Sequence, residues 1–107
     1  MRLQLTQEAQ QDIEVAYHWY EARRAGLGTE FLDSLTHLFE RIEEAPESFS
    51  RPEDYAGSRE LRQGLPRRFP FRVLFELRAD KILLALAVAH TSRRPGFWQC
   101  SMGWSGQ

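Results

Sequence analysis

The spacing of apolar residues changes once along this chain, from a helical to a strand period, and this change limits the folds that the chain can adopt. Up to Ala45 the apolar residues recur every three or four positions, as on one face of an α-helix. From Leu61 onwards they alternate with polar residues, as in a β-strand with one covered face. Helical segments followed by strands are typical of the α+β class, in which helices pack on an antiparallel sheet.

Two helices separated by glycines are predicted in the first half of the chain. After a strand candidate at Arg2–Leu5, Thr6 fits the N-cap of a helix that runs from about Gln7 to Arg24. Gly26–Gly28 is expected to break this helix, and a second helix follows. Because the connection is short, the two helices are expected to form an antiparallel hairpin.

The second helix has the clearest apolar pattern in the chain. Its apolar face consists of Phe31, Leu32, Leu35, Leu38, Phe39 and Ile42. Pro46 ends the helix, because the residue before a proline is pushed away from helical backbone angles.

Three strands are predicted after the polar connection 48–57. The first has Leu61 and Leu65 on one side. In the second, Phe71, Val73, Phe75 and Leu77 face one way, and Arg72, Glu76 and Arg78 face the other. The third, Ile82–Ala89, is apolar on both faces, as a covered central strand would be. The predicted fold is therefore α+β: a short N-terminal strand, an antiparallel helix hairpin and an antiparallel β-meander.

Length and composition exclude several classes of protein. With 107 residues, one domain spanning 1–107 is expected, and its tail 99–107, which has no apolar period, is expected to pack loosely. The longest apolar run, Ile82–Ala89, is far shorter than the about 20 residues of a membrane-spanning helix. Met1–Leu5 does not resemble a signal peptide, and the single Cys100 predicts neither a disulfide nor a Cys/His metal site. We therefore expect a cytoplasmic protein without membrane contact, metal or cofactor.

Charge is divided unevenly along the chain. The segment from Met1 to Ala56 has a net charge of −7 and the segment from Gly57 to Gln107 a net charge of +6, which together give the overall −1. Of the 14 basic residues, all but Lys81 are arginines, whose planar donors suit carboxylates and phosphates. This division predicts a basic surface that meets an acidic partner. The alternative is a charge separation that only keeps the protein soluble.

His90 is the candidate catalytic residue. It ends the most apolar predicted strand, and the following loop contains Arg93, Arg94 and Trp98. An arginine can bind an anion with two hydrogen bonds, and a tryptophan can stack on a base or fill an apolar pocket. The alternative is that His90 only caps the strand and Trp98 only closes the end of the core.

Arginines earlier in the chain are candidates for the same surface. If the strands pair as a meander, several of these arginines are expected to share the sheet surface or edge near His90: Arg59, Arg62, Arg67, Arg68 and Arg72. We consider Arg59, Arg62 and Arg72, together with His90, Arg93, Arg94 and Trp98, as candidates for target binding. The competing interpretation of Arg72 and Arg78 is the solvated face of their strand.

The order of short motifs resembles the RelE/ParE toxin superfamily, in particular its ParE-like, plasmid-stabilisation branch. The resemblance runs from Leu5 to Trp98. It rests on Tyr20-Glu21, Gly26-Leu27-Gly28 with Phe31-Leu32, Ile42 with Pro46 and Phe49, Arg59, Phe69-Pro70-Phe71-Arg72-Val73-x-Phe75, Asp80-Lys81-Ile82, Ala87-Val88-Ala89-His90, and Arg93-x-Pro95-x-x-Trp98. Each motif is weak alone, and their shared order and spacing are specific.

This resemblance implies the toxin of a type II toxin–antitoxin module, inhibited by an antitoxin protein and reaching nucleic acid only through the antitoxin complex. ParE-like members are associated with inhibition of DNA gyrase, whereas RelE-like members cut mRNA on the ribosome. The last tyrosine is Tyr55, the only lysine is Lys81, and the isoelectric point is near 6.3, which favours a gyrase inhibitor over a nuclease. The alternatives are a ribosome-dependent mRNA endonuclease that uses His90 and a decayed toxin retained as a binding module.

Overall fold

The computed structural model describes residues 2–52, 55, 57–78 and 82–91. In chain order its elements are β1 (Leu3–Leu5), α1 (Gln7–Arg23), α2 (Leu27–Glu44), a 3₁₀ turn (Pro46–Ser48), β2 (Leu61–Gly64), β3 (Phe71–Leu77) and β4 (Leu83–His90). The predicted order of one strand, two helices and three further strands is confirmed.

The four strands form one sheet in the order β1-β4-β3-β2. Strands β2, β3 and β4 are antiparallel neighbours, which confirms the predicted meander. Strand β1 pairs with β4 in parallel, with Leu3 opposite Leu83. The continuous apolar run therefore lies between two other strands, as predicted from its lack of a polar face.

The start of α1 is held to β4 by Thr6. Its side-chain oxygen accepts a hydrogen bond from the backbone N–H of Ala9 at 3.1 Å, which confirms the predicted N-cap. Its backbone N–H donates to the carbonyl of Ala85, and its hydroxyl donates to the carbonyl of Leu86. Thr6 thus binds backbone groups of β4 directly beyond the point where β1 stops pairing.

The glycine segment differs from the sequence-based expectation. Only Gly26 lies in the turn, with a φ of 90° in the left-handed region, whereas α2 already begins at Leu27 and includes Gly28. The backbone N–H groups of Gly26 and Gly28 donate to the carboxylate of Glu21 at 3.2 and 2.8 Å. Gly28 therefore serves the close approach of α1 and α2 rather than the break between them.

We expect Gly28→Ala to lower the free energy of unfolding by about 1–2 kcal/mol. A Cβ at this position would lie 2.7 Å from Cδ1 of Tyr17 and 2.8 Å from Cγ of Glu21, so these side chains or the helices that carry them would have to shift. The overpacking cost exceeds the about 1 kcal/mol that alanine gains in helix propensity. Urea unfolding measures the change, and Thr29→Ala, exposed on the next position, is the control, with an expected change within about 0.5 kcal/mol. Equal stabilities of the two variants would contradict the close approach.

The sheet has one face packed on the helices, here called the helix face, and an opposite outer face. The helix face and helices share the main core: Ala9, Ala16, Tyr20, Phe31, Leu35, Leu38, Ile42, Phe69, Val73, Phe75, Leu83, Ala85 and Val88. A smaller cluster on the outer face consists of Tyr55, Leu61, Leu74, Leu86 and Ala87. The prediction that Leu65 joins Leu61 in its strand is wrong, because β2 ends at Gly64 and Leu65 is 53% exposed.

Strand β4 contains a bulge that changes which residues face the helices. Leu74 lies opposite Ala87 and Phe75 opposite Ala85, so Leu86 is an extra residue in β4. As a result Ala85 and Val88, three positions apart, both pack in the helix-face core. Beyond the bulge, the even-numbered residues of β4 face the helices.

Candidate functional site

His90 lies at the end of β4 on the helix face. It is opposite Phe71 in the register, and the two rings meet edge to face with centroids 5.3 Å apart. Phe71 in turn packs against Tyr20 of α1 and Phe31 of α2. The imidazole is therefore half-buried between the sheet and the helix hairpin.

The bulge at Leu86 decides the side on which His90 lies. In a regular strand that begins with Leu83 on the helix face, position 90 would fall on the outer face. The extra residue reverses the alternation and turns His90 towards the helices. Because β4 is apolar on both faces, its sequence contains no signal for this change.

Arg59 lies on the outer face, bound to a buried carboxylate. Its Nε and Nη2 donate to the two carboxylate oxygens of Glu76 at 3.0 and 2.9 Å. Arg78 also donates to Glu76, from Nε at 3.2 Å. Glu76 lies opposite Leu61 and Leu84 in the sheet, both of which belong to the outer-face cluster. Arg59 is therefore part of a three-residue ion cluster far from His90.

The environment of Glu76 favours its ionised form. Burial alone would raise the pKa of this carboxyl, but the hydrogen bonds from Arg59 and Arg78, together with their charges, lower the pKa below its ordinary value. Two arginines share one carboxylate, so the cluster carries a net positive charge on the outer face.

Arg62 lies on the edge strand β2, opposite Phe75. Its guanidinium binds the carboxylate of Glu60 and donates to the carbonyl of Phe49 at 2.7 Å. It is separated from His90 by four residues along the strands, about 13 Å, and by two strand spacings, about 10 Å. Through these contacts with Phe49 and Glu60, Arg62 links both ends of the connection 49–60 to the edge of the sheet.

Arg72 lies on the outer face and donates to Oε1 of Gln63 at 3.1 Å. The expectation of a surface shared with His90 is therefore wrong for Arg59, Arg62 and Arg72, because the sheet separates His90 from Arg59 and Arg72, and distance along the sheet separates it from Arg62. Their role in target binding stays a prediction. Arg93, Arg94 and Trp98 lie outside the described residues.

A groove between α1 and the ends of β3 and β4 contains His90 and residues that the sequence analysis did not single out. It has a volume of about 470 Å³. Its walls include Asp12, Val15 and Trp19 of α1, with Phe71 on the sheet side. Val15 and Trp19 are not among the buried residues of α1. Two large apolar residues four positions apart on the polar face of a helix could have indicated this groove from the sequence alone.

Asp12 joins α1 to β4 at the bottom of this groove. Its Oδ2 accepts a hydrogen bond at 3.0 Å from the backbone N–H of Val88, just beyond the bulge. Within the described ranges, no group of three His, Cys, Asp or Glu side chains is placed to hold a metal ion. No helix in the same part of the chain is long and apolar enough to span a membrane.

The arrangement of helices and strands is similar to that of two solved structures. A chain of the chromosomal ParDE toxin–antitoxin system from P. aeruginosa is similar, with a TM-score of 0.71, 15% identity, and coverage of 86% of this chain and 97% of that chain. The isolated E. coli RelE toxin is also similar, with a TM-score of 0.60, 14% identity and coverage of 94% of each chain. At these identities the likeness concerns the fold.

Sequence comparison identifies the family. A search of curated proteins finds no match. The family described as the ParE toxin of type II toxin–antitoxin systems, parDE, matches residues 3–95, nearly the whole chain. The chain therefore belongs to the ParE toxin family of type II toxin–antitoxin systems.

Proposed function

We propose that this chain is a toxin that binds and inhibits DNA gyrase in the cytoplasm, without cutting nucleic acid, and that an antitoxin protein holds it inactive. Membership of the ParE family supports the toxin role and the existence of an antitoxin. The similar P. aeruginosa chain comes from a ParDE toxin–antitoxin system, which also supports such a partner. Contact with DNA is then indirect, through the antitoxin complex.

The separation of His90 from Arg59 and Arg72 is the observation that carries the preference for binding over cleavage. Cleavage of RNA needs a proton-transfer group and cationic groups around the same phosphate. His90 faces the helices, whereas Arg59 and Arg72 lie on the outer face of the sheet. Among described residues, the groove at His90 contributes the carboxylate of Asp12 and no arginine, and a carboxylate repels phosphate.

The contacts of the arginines support the same preference. Arg59 binds both oxygens of Glu76, and Arg62 binds Glu60 and a backbone carbonyl. To stabilise a transition state, such a guanidinium would first have to break these charge-assisted hydrogen bonds, which is energetically unfavourable. These two residues therefore suit structural roles better than a phosphate clamp.

Two assays on the purified protein test the proposal. We expect inhibition of gyrase supercoiling and no ribosome-dependent mRNA cleavage. His90→Ala should change gyrase inhibition only as far as lost packing against Phe71 explains, because no proton is transferred. The matched control is His37→Ala, which removes an exposed histidine from α2. Arg93→Ala and Trp98→Ala should weaken gyrase inhibition if these residues are the binding anchors expected from the sequence.

Cleavage results would decide against the proposal. If the protein cuts mRNA on the ribosome and His90→Ala lowers that rate by about 10²–10⁴-fold with supercoiling unaffected, the chain is a nuclease with His90 as its acid or base. If neither assay responds while an antitoxin still binds, the chain is a decayed toxin retained as a binding module.

A further inference from the structure

The groove beside His90 has an exposed apolar wall. Val15 is 70% exposed and Trp19 is 53% exposed, the two most exposed large apolar residues of the described helices. They are four positions apart on α1 and therefore lie next to each other on its surface. Single exposed apolar residues are ordinary, but these two border a groove whose other wall contains Pro70 and Phe71. A continuous apolar groove of this kind is suited to cover by another segment.

The end of β4 brings the remainder of the chain to this groove. His90 lines the groove and ends the strand, and 16 residues follow Thr91. Residues 92–107 lie outside the described part of the structure, and they are attached to it at Thr91. Phe97 is six positions after Thr91, a distance that at full extension spans about 20 Å. His90, next to Thr91, lines the same groove as Val15 and Trp19, and the four steps from Val15 to Trp19 span only about 6 Å of helix, so Phe97 and the residues after it are within reach.

The chemistry of this terminal segment matches the groove. It contains Phe97, Met102 and Trp104, which supply apolar side chains, and Arg93 and Arg94, with no acidic residue. The groove contributes the carboxylate of Asp12, and α1 carries a further acid, Glu8, in its first turn. Apolar contacts and the attraction between Asp12 and these arginines therefore act in the same direction, whereas the guanidinium of Arg23, 4.2 Å from the centroid of the Trp19 ring, adds a positive charge beside the groove.

A tethered segment also has an advantage over a separate molecule. Attachment through a short stretch of the same chain gives an effective concentration in the mM range, so even weak contacts keep the groove occupied. A second copy of the chain must reach the same groove by diffusion from solution at its much lower protein concentration. We propose that the segment Phe97–Trp104 of this chain docks intramolecularly in the groove between α1 and the end of β4, against Val15 and Trp19.

The single cysteine of the chain allows a direct test. Cys100 lies between Phe97 and Trp104, so Val15→Cys creates the only possible intramolecular disulfide. Glu14→Cys is the matched control, because Glu14 is exposed on the same helix, one position away, and points to the side opposite the groove. Both variants are made in the full-length chain by cell-free synthesis and oxidised with oxidised glutathione, and peptide mapping follows disulfide formation.

We expect the Val15→Cys variant to form the intramolecular disulfide at least ten times faster than the Glu14→Cys variant. Replacing both Phe97 and Trp104 by serine in the Val15→Cys chain should reduce its rate to that of the control. Equal rates for Val15→Cys and Glu14→Cys would overturn the proposal, since an undocked segment meets both positions equally. Disulfide-linked dimers as the main product would also overturn it, because the groove would then be filled by a second copy.

A measurement on the unsubstituted chain gives an independent readout. A nitroxide spin label attached to Cys100 should broaden the NMR signals of the Val15 methyl groups and leave those of Leu65, which is also exposed, sharp. Sharp Val15 signals would overturn docking even if the cysteine variants failed to fold. Neither readout depends on gyrase or on an antitoxin.

Discussion

Phe31→Ala should lower the free energy of unfolding by about 3–5 kcal/mol, a large part of the 5–15 kcal/mol typical of a domain. Phe31 is fully buried on α2, with ring centroids 5.3 Å from Tyr20, 5.4 Å from Phe69 and 5.2 Å from Phe71. Alanine would leave a cavity among these rings and remove the edge-to-face contact with Phe69 and the tilted contacts with Tyr20 and Phe71. Urea unfolding followed by circular dichroism measures the change.

Phe39→Ala is the matched control for this prediction. Phe39 lies on the same helix and packs only partly against the same core, so its loss should be about 1–2 kcal/mol. Because Phe31 contacts both α1 and the sheet, its loss should also weaken the support of Phe71 and hence of His90. Similar losses for the two phenylalanines would contradict the central place of Phe31 in the core.

Glu76→Gln should lower the free energy of unfolding by about 2–3 kcal/mol near neutral pH. The substitution keeps the shape of the side chain but removes the charge that binds Arg59 and Arg78, and hydrogen bonds between charged groups are the stronger kind. This loss of stability is smaller than for a fully buried ion pair, because the side chain of Arg59 is 28% exposed and water can hydrate its charge in the variant. Glu60→Gln, which removes an exposed carboxylate, is the control and should cost less than about 1 kcal/mol.

The contribution of Glu76 should depend on pH. Its pKa is lowered in the folded protein, so the stability that its charge adds is fully present above the ordinary glutamate value of about 4.3. That stability is lost as the pH falls through the lower, folded pKa, because Glu76 then takes up a proton. The difference in unfolding free energy between the wild type and Glu76→Gln should therefore shrink below about pH 4. A constant difference down to pH 2 would contradict the lowered pKa.

Local sequence determined the secondary structure and the resemblance to the ParE toxin family. The helix period on α2, the N-cap at Thr6 and the proline after Ala45 act within a few residues, so they can be recognised without tertiary information. The central position of β4 was also predictable, because a strand apolar on both faces must be covered on both. The ParE family match over residues 3–95 agrees with the order of motifs read from the sequence.

Tertiary structure alone decided which candidate residues meet. The bulge at Leu86 turns His90 to the helix face, and its cause is the pairing of β4 with β3 rather than any local preference of an apolar run. Arg59 and Glu76 are 17 positions apart, and only the register of β2 and β3 brings the loop before Leu61 to Glu76. From the sequence alone Gly28 is predicted to lie in a loop, and only the contact with Tyr17 of the other helix shows why a glycine is needed there. In each case the partner is distant along the chain, so the contact depends on packing and register, which alternation and propensity do not encode.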